Sequence, residues 1–324
     1  MSFGQARAAV WWGLSGLLGC SANLDAGSDT PHGALPVDER SPLLLVNDGA
    51  RDNWQAEYAI VLAARQRLRL VGMVVDSSTV YPELEANVSE FRQLIRAARD
   101  SGMQQLPDPT GSVAPVLVRP ASGAIDDTLP NRSEGARLIL DAASRYGTKV
   151  HPLAIATGNA LTDTADAYLM DPTLPERAVV VASLGTTETN GARAGGPNGD
   201  NDVWATVIVT QRMRYVQVNG YYDQLLDVPE PRVAALPQNP FGAWMAGKRS
   251  EVLDLLSACD QVSVLAAALP WFASGVTRMR AEPGDGIPVL TPDPTGRIWH
   301  VAETDSDRAR DELWSALADP NTFR

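Results

Sequence analysis

From Pro42 onward, short apolar runs alternate with segments of helical period. Pro42 to Val46, Leu68 to Val75, Ala114 to Val118, Val150 to Ala156, Ala178 to Leu184 and Tyr215 to Val218 have strand length and predict strands. Between them, Trp54 to Arg67 carries Trp54, Tyr58, Val61 and Leu62 on one helical face, and Pro82 to Ser101 carries Val88, Phe91, Leu94, Ile95 and Ala98. Ser133 is a fitting N-cap for a helix that runs to Tyr146 and stops at Gly147. Leu161 to Met170 and Val203 to Met213 also read as helices, and residues 287 to 304 as two strands around a Pro-Asp-Pro-Thr-Gly turn, followed by a last helix to about Leu317. His151 and His300 fall in predicted strands. Continuous apolar strands alternating with helices predict a mostly parallel central sheet covered on both faces, a Rossmann-like α/β fold. In such sheets ligands sit at the carboxyl ends of strands. Functional residues are therefore expected directly after the apolar runs. No repeat and no internal linker interrupts residues 42 to 322, which read as one domain.

The amino end has a different pattern. Arg7 precedes an uncharged, mostly apolar stretch from Ala8 to Gly19, too short to span a bilayer comfortably, which ends in Leu17-Leu18-Gly19-Cys20. This resembles the lipobox of bacterial lipoproteins and implies a signal peptide over residues 1–19 and lipidation of Cys20. Residues 20–41 are rich in Ser, Asp, Gly and Pro and read as a flexible tether. The expected location is the cell envelope, with the protein anchored by lipid alone. Ser21, in place of an Asp after the cysteine, favours an outer membrane where two membranes exist.

Composition narrows the function. The chain has 324 residues, 44% apolar and 20% charged, the balance of a globular protein. Its formal charge of -12 argues against nucleic-acid binding, which needs clustered Lys and Arg. It suits a neutral small molecule or a cation. Two cysteines exclude a disulfide scaffold, and three histidines leave little for a His-rich zinc site. No Ser-His or Cys-His pair suggests a covalent nucleophile.

Three segments carry candidate chemistry. Asp48 and Asp52 flank a Gly turn at the end of the first strand, with Asn53 next. Thr157 to Ala165 follows another strand and contains Gly158, Thr162 and Asp163. Asp260 opens a helix in the C-terminal third. Each is also explained as a turn or a helix cap, and Asn198-Gly199 as an ordinary turn. Trp244, Trp271 and Phe272 lie where they could border a pocket or fill the core.

Together, in this order, the segments resemble the inosine-uridine preferring nucleoside hydrolase family. Its first strand ends in Asp-x-Asp-Pro-Gly-x-Asp-Asp. Asp48 matches the second Asp of that motif, Asp52 the third and Asn53 the fourth; Val46 stands at the first. The Gly-Pro-Leu-Thr-Asn loop resembles Gly158 to Asp163, with Thr162 at the position whose carbonyl binds calcium. Cys259-Asp260 matches the family's His-Asp or Trp-Asp pair. Residues 198 to 205 resemble its ribose-holding run, placing Asn198 on the Asn and Gly196 on the preceding Glu.

The resemblance covers roughly residues 42 to 320. It implies a hydrolase that cleaves the N-glycosidic bond of a ribonucleoside or related N-riboside. Ca2+ would be held by Asp48, Asn53, the Thr162 carbonyl and Asp260, with Asp48 as general base on a calcium-bound water and Asp52 and Asn198 on the ribose hydroxyls. A homo-oligomer is compatible with this reading. Asn53 leaves the metal set with two formal negative charges instead of three, which loosens calcium. Gly196 and Cys259 remove two family contacts. The competing expectation is a nucleoside- or sugar-binding lipoprotein of the same fold with weakened catalysis.

Overall fold

The computed structural model describes residues 35–49, 54–79, 81–183, 197–218, 235–254, 260–282 and 286–323. Residues 1–34, with the expected leader and Cys20, lie outside them. The strands are β1 (Pro42–Asn47), β2 (Arg69–Val75), β3 (Pro109–Gly111), β4 (Leu153–Thr157), β5 (Ala178–Ala182), β6 (Tyr215–Val218), β7 (Ala273–Ala281), β8 (Leu290–Pro292) and β9 (Ile298–Thr304). The helices of use below are α1 (Gln55–Ala64), α2 (Leu84–Asp100), α3 (Glu134–Tyr146), α4 (Thr162–Met170), α5 (Pro197–Asp200), α6 (Val203–Arg212), α7 (Pro240–Asp254), α8 (Gln261–Ala268) and α9 (Ser306–Ala318).

One sheet runs β3-β2-β1-β4-β5-β6-β9-β7-β8. It is parallel from β3 through β9, and β7 is antiparallel to both β9 and β8. This is the expected mostly parallel α/β fold. β1, β4 and β5 are buried at every residue, as their unbroken apolar runs require. One core cluster joins the sheet to α1, α2, α7, α8 and α9; the other joins it to α3, α4 and α6. Val37, ahead of β1, is buried in the first. No helix among the described residues is long and apolar enough to cross a membrane.

Local signals account for the elements. The apolar period of α2 is buried at Val88, Phe91, Leu94, Ile95 and Ala98. Ser133 caps α3 by accepting from the Ala136 N–H at 3.2 Å. α8 is buried at all eight residues, as expected of a helix apolar on every side, and packs between α1 and the sheet.

Two expectations fail. Ala114 to Val118 is not a strand: β3 is three residues at Pro109–Gly111, and Val113, Val116 and Val118 are exposed. Pro115 lacks an N–H for a ladder, so the apolar letters there do not mark a buried strand. His151 lies before β4, not in it, whereas His300 is in β9 and buried. β7 goes unforeseen because its Ser, Gly, Thr and Arg residues break the apolar run.

Candidate functional site

The carboxyl edge of the sheet is fixed by backbone bonds that continue the ladder past the strands. Ser112 N–H donates to the Val75 carbonyl, Asp76 N–H to Asn47, Gly158 N–H to Val46 and Ser183 N–H to Thr157, at 2.8 to 3.1 Å. Asp76, Asp48 and the Gly158-Asn159 pair therefore end three neighbouring strands, β2, β1 and β4. Asp48 sits between the other two.

Asp48 is 4% exposed; Ser78 hydrogen-bonds its carboxylate, and its Oδ1 has no partner among the described residues. Burial holds its carboxyl above the usual carboxylate range. Asp76 Oδ1 accepts from Asn159 Nδ2 at 2.6 Å. Burial, then the charges of Asp163 and Asp48, push the Asp76 carboxyl well up. Asp163 Oδ1 accepts from Ser112 and Ser133 at 2.8 and 2.6 Å; burial raises it too, against the pull of those two hydroxyls. Asp163 Oδ2 and Asn159 Oδ1 also lack partners among the described residues. Asp76 thus lies in the field of two other buried carboxyls, Asp163 and Asp48, an arrangement that favours a cation.

Asp260, at the entrance of α8, is 1% exposed. Its carboxylate lies on Gly158, where a β-carbon would come within 2.6 Å of Asp260 Oδ2. Only glycine lets the acid reach this strand end. Asn198, in α5, spans the same place: Nδ2 donates to the Gly158 and Ser183 carbonyls at 2.8 and 2.9 Å and stands 3.5 Å from Asp260 Oδ1. Gly158, Asn198 and Asp260 are thereby gathered at the ends of β4 and β5, next to the β1 end that carries Asp48.

Thr162 opens α4, and its hydroxyl donates to Asp202 Oδ2 at 2.8 Å. That same oxygen accepts from Leu117 N–H, and Asp202 Oδ1 caps α6 through Ala205 N–H. Asp52, Asn53, Gly196 and Cys259 lie outside the described residues. Phe272 is fully buried, Trp271 lies against the Arg308 guanidinium 3.9 Å away, and Trp244 donates to Glu57 at 3.0 Å, so all three are engaged in packing or pairing.

The donors at this edge are oxygens, which suits a hard cation, and an orphaned buried Asp48 oxygen is the kind of atom a cation satisfies. Among the described residues, no three His, Cys, Asp or Glu side chains are placed to hold one ion. Asp76 and Asn159 were not singled out from the sequence. Asp76 directly follows β2, and Asn159 stands two residues past β4, places that many ordinary polar residues occupy.

No protein-family model and no curated protein sequence matches the chain. Solved structures do. The purine-preferring ribonucleoside hydrolase from Gardnerella vaginalis aligns with a TM-score of 0.62 over 87% of this chain and 100% of its own, at 14% identity. An inosine-guanosine nucleoside hydrolase aligns with a TM-score of 0.60 over 85% and 98%, at 17% identity. The type III effector protein XopQ, solved with adenosine diphosphate ribose, aligns with a TM-score of 0.57 over 89% and 95%, at 15% identity. At these identities the likeness is one of fold.

Proposed function

We propose that this chain hydrolyses the N-glycosidic bond of a ribonucleoside or a related N-riboside. The observation that carries the reading is the placement of two acids from distant parts of the chain at neighbouring strand ends of one sheet edge. Asp260 rests on Gly158 at the end of β4, and Asp48, with an unpartnered buried oxygen, follows the adjacent β1. The fold shared with nucleoside hydrolases supports it.

Cleaving the bond develops oxocarbenium character at the sugar while the base departs with the electron pair of the C–N bond. Water supplies the new oxygen at the anomeric carbon, and its proton needs an acceptor. Asp48 is that general base: burial makes its carboxylate more basic than an exposed one, nearer to what proton abstraction at neutral pH needs. Asp48, Asn53, the Thr162 carbonyl and Asp260 would hold Ca2+, which when bound orients the ribose diol and acidifies the attacking water. Asn198 is anchored through its amide hydrogens on two strand ends. Its Oδ1 can accept from a ribose hydroxyl, and Asp52 would take another. The net negative chain suits an uncharged riboside. The protein, incubated with a nucleoside panel with and without a calcium chelator, should release ribose from at least one nucleoside and only in free calcium. Binding without ribose release would instead support a ligand-binding protein of this fold.

A further inference from the structure

Between the Asp48 loop and Asp260 runs a buried hydrogen-bond chain made of residues to which no role has been given above. Gly49 N–H donates to Asn47 Oδ1 at 2.9 Å. Asn47 Nδ2 donates to Gln55 Oε1 at 2.8 Å, and Gln55 Nε2 donates to Ser263 Oγ at 2.8 Å. Ser263 Oγ donates to the Asp260 carbonyl at 2.6 Å. Asn47, Gln55, Ser263 and Asp260 are each 1% exposed or less.

The polarity of this chain admits one solution. Its first member is a backbone N–H, which can only donate; its last is a carbonyl, which can only accept. Ser263 uses its single proton on that carbonyl and must accept from Gln55. The Gln55 amide then faces its oxygen to Asn47, whose own oxygen is left for Gly49. Flipping either amide would set two donors or two acceptors against each other in a site without solvent. Bonds aligned head to tail in this way strengthen one another. Gln55 is the first residue of α1, directly after Trp54, which is held at φ 57°, a left-handed conformation costly for so large a side chain. The backbone is thus bent at the point that delivers Gln55 to the chain. Apolar residues would fill these positions in two packed helices more readily. An unbroken amide and hydroxyl relay from the main chain beside Asp48 to the main-chain carbonyl of Asp260, 212 residues further on, indicates a need to fix the separation of these two backbone points.

We propose that Asn47, Gln55 and Ser263 are positioning residues whose relay locks the Asp48 loop against Asp260. Its consequence for hydrolysis rests on the function proposed above; the coupling itself rests on the hydrogen bonds alone. Two helices packed on one face of the sheet, α1 and α8, would then set the spacing of the acids at its edge.

Hydrogen exchange at the Gly49 amide, three links from Ser263, reads the coupling. Ser263→Ala and Gln55→Met should each speed exchange at Gly49 by about tenfold, the scale of one lost buried hydrogen bond. Amides of β5 should not change. Val262→Ala, a truncation in the same helix that leaves the relay whole, serves as the control for general loosening. The relay is overturned if Gly49 exchange is unchanged in Ser263→Ala, or rises as much in Val262→Ala at matched stability. Ribose release, assayed in the same proteins, separates the two readings. A response at Gly49 with no ribose from the parent keeps the relay and removes the hydrolase. Ribose from the parent with Gly49 unmoved keeps the hydrolase and removes the relay. With both intact, Ser263→Ala should lower kcat more than it raises KM, since the relay ends beside Asp48, the proposed base, while Asn198 and Asp52, the proposed ribose contacts, lie outside it.

Discussion

Asp260 and Gly158 touch because glycine has no side chain: a β-carbon at 158 would stand 2.6 Å from Asp260 Oδ2. Gly158→Ala should push the acid off the strand end. Overpacking of this kind costs about 1–3 kcal/mol, and a displacement near 1 Å in a catalytic group costs about 100-fold in rate. Thermal unfolding and a ribose assay on this variant check both. A larger loss of stability than of activity would mean that Asp260 serves packing alone.

Asn53→Asp would add the third carboxylate of the nucleoside hydrolase motif that this loop resembles. Calcium affinity, measured by calorimetry, should rise, since affinity at such sites follows the count of charged ligands. Hydrolysis at limiting calcium should rise with it. A protein of this fold that only binds its ligand would gain calcium affinity and still release no ribose.

Burial raises the carboxyls of Asp48, Asp76 and Asp163 above 3.8. A raised carboxyl adds stability that is complete below the unfolded value and is lost as pH rises through the folded value. Without calcium, this cluster should therefore weaken the fold from acid toward neutral pH. Asp76→Asn keeps an acceptor for Asn159 and removes one charge. Its Tm in chelator should exceed that of the parent at pH 7 and fall less steeply with pH. A lower Tm at pH 7 would contradict the repulsion.

The lipobox-like end leads us to propose anchoring through Cys20. Cys20→Ser should shift the full chain out of the membrane fraction on cell fractionation. An unchanged membrane fraction with the leader still attached would contradict lipidation.

Much of the fold is legible because β1, β4 and β5 are apolar at least to their penultimate residue and buried throughout, and burial on both faces leaves such runs no other form; β2 past Arg69 and β6 apart from Gln217 share that character. Val116 and Val118 mislead because Pro115 cannot join a ladder, and both valines are exposed outside the sheet. β7 is hidden because its residues mix polar with apolar and only Met279 among them is buried. In the site, Asp48 and Asp260 stood out as acids at element ends. Asp76 did not, since one acid after one apolar run is an ordinary sequence. Gln55 and Ser263 are polar letters inside apolar helices. Only their meeting across the core shows what they share, and sequence does not carry that distance.

The most direct test is ribose release by the parent and by Asp48→Ala, side by side at saturating calcium on the nucleoside that the parent cleaves best. Removing a general base costs about 10²–10⁴ in rate, and Asp48→Ala removes a proposed calcium ligand with it. The parent should release ribose and the variant should release it at no more than about one hundredth of that rate, with the variant still folded by thermal unfolding. Equal rates from the two proteins would contradict Asp48 as the general base.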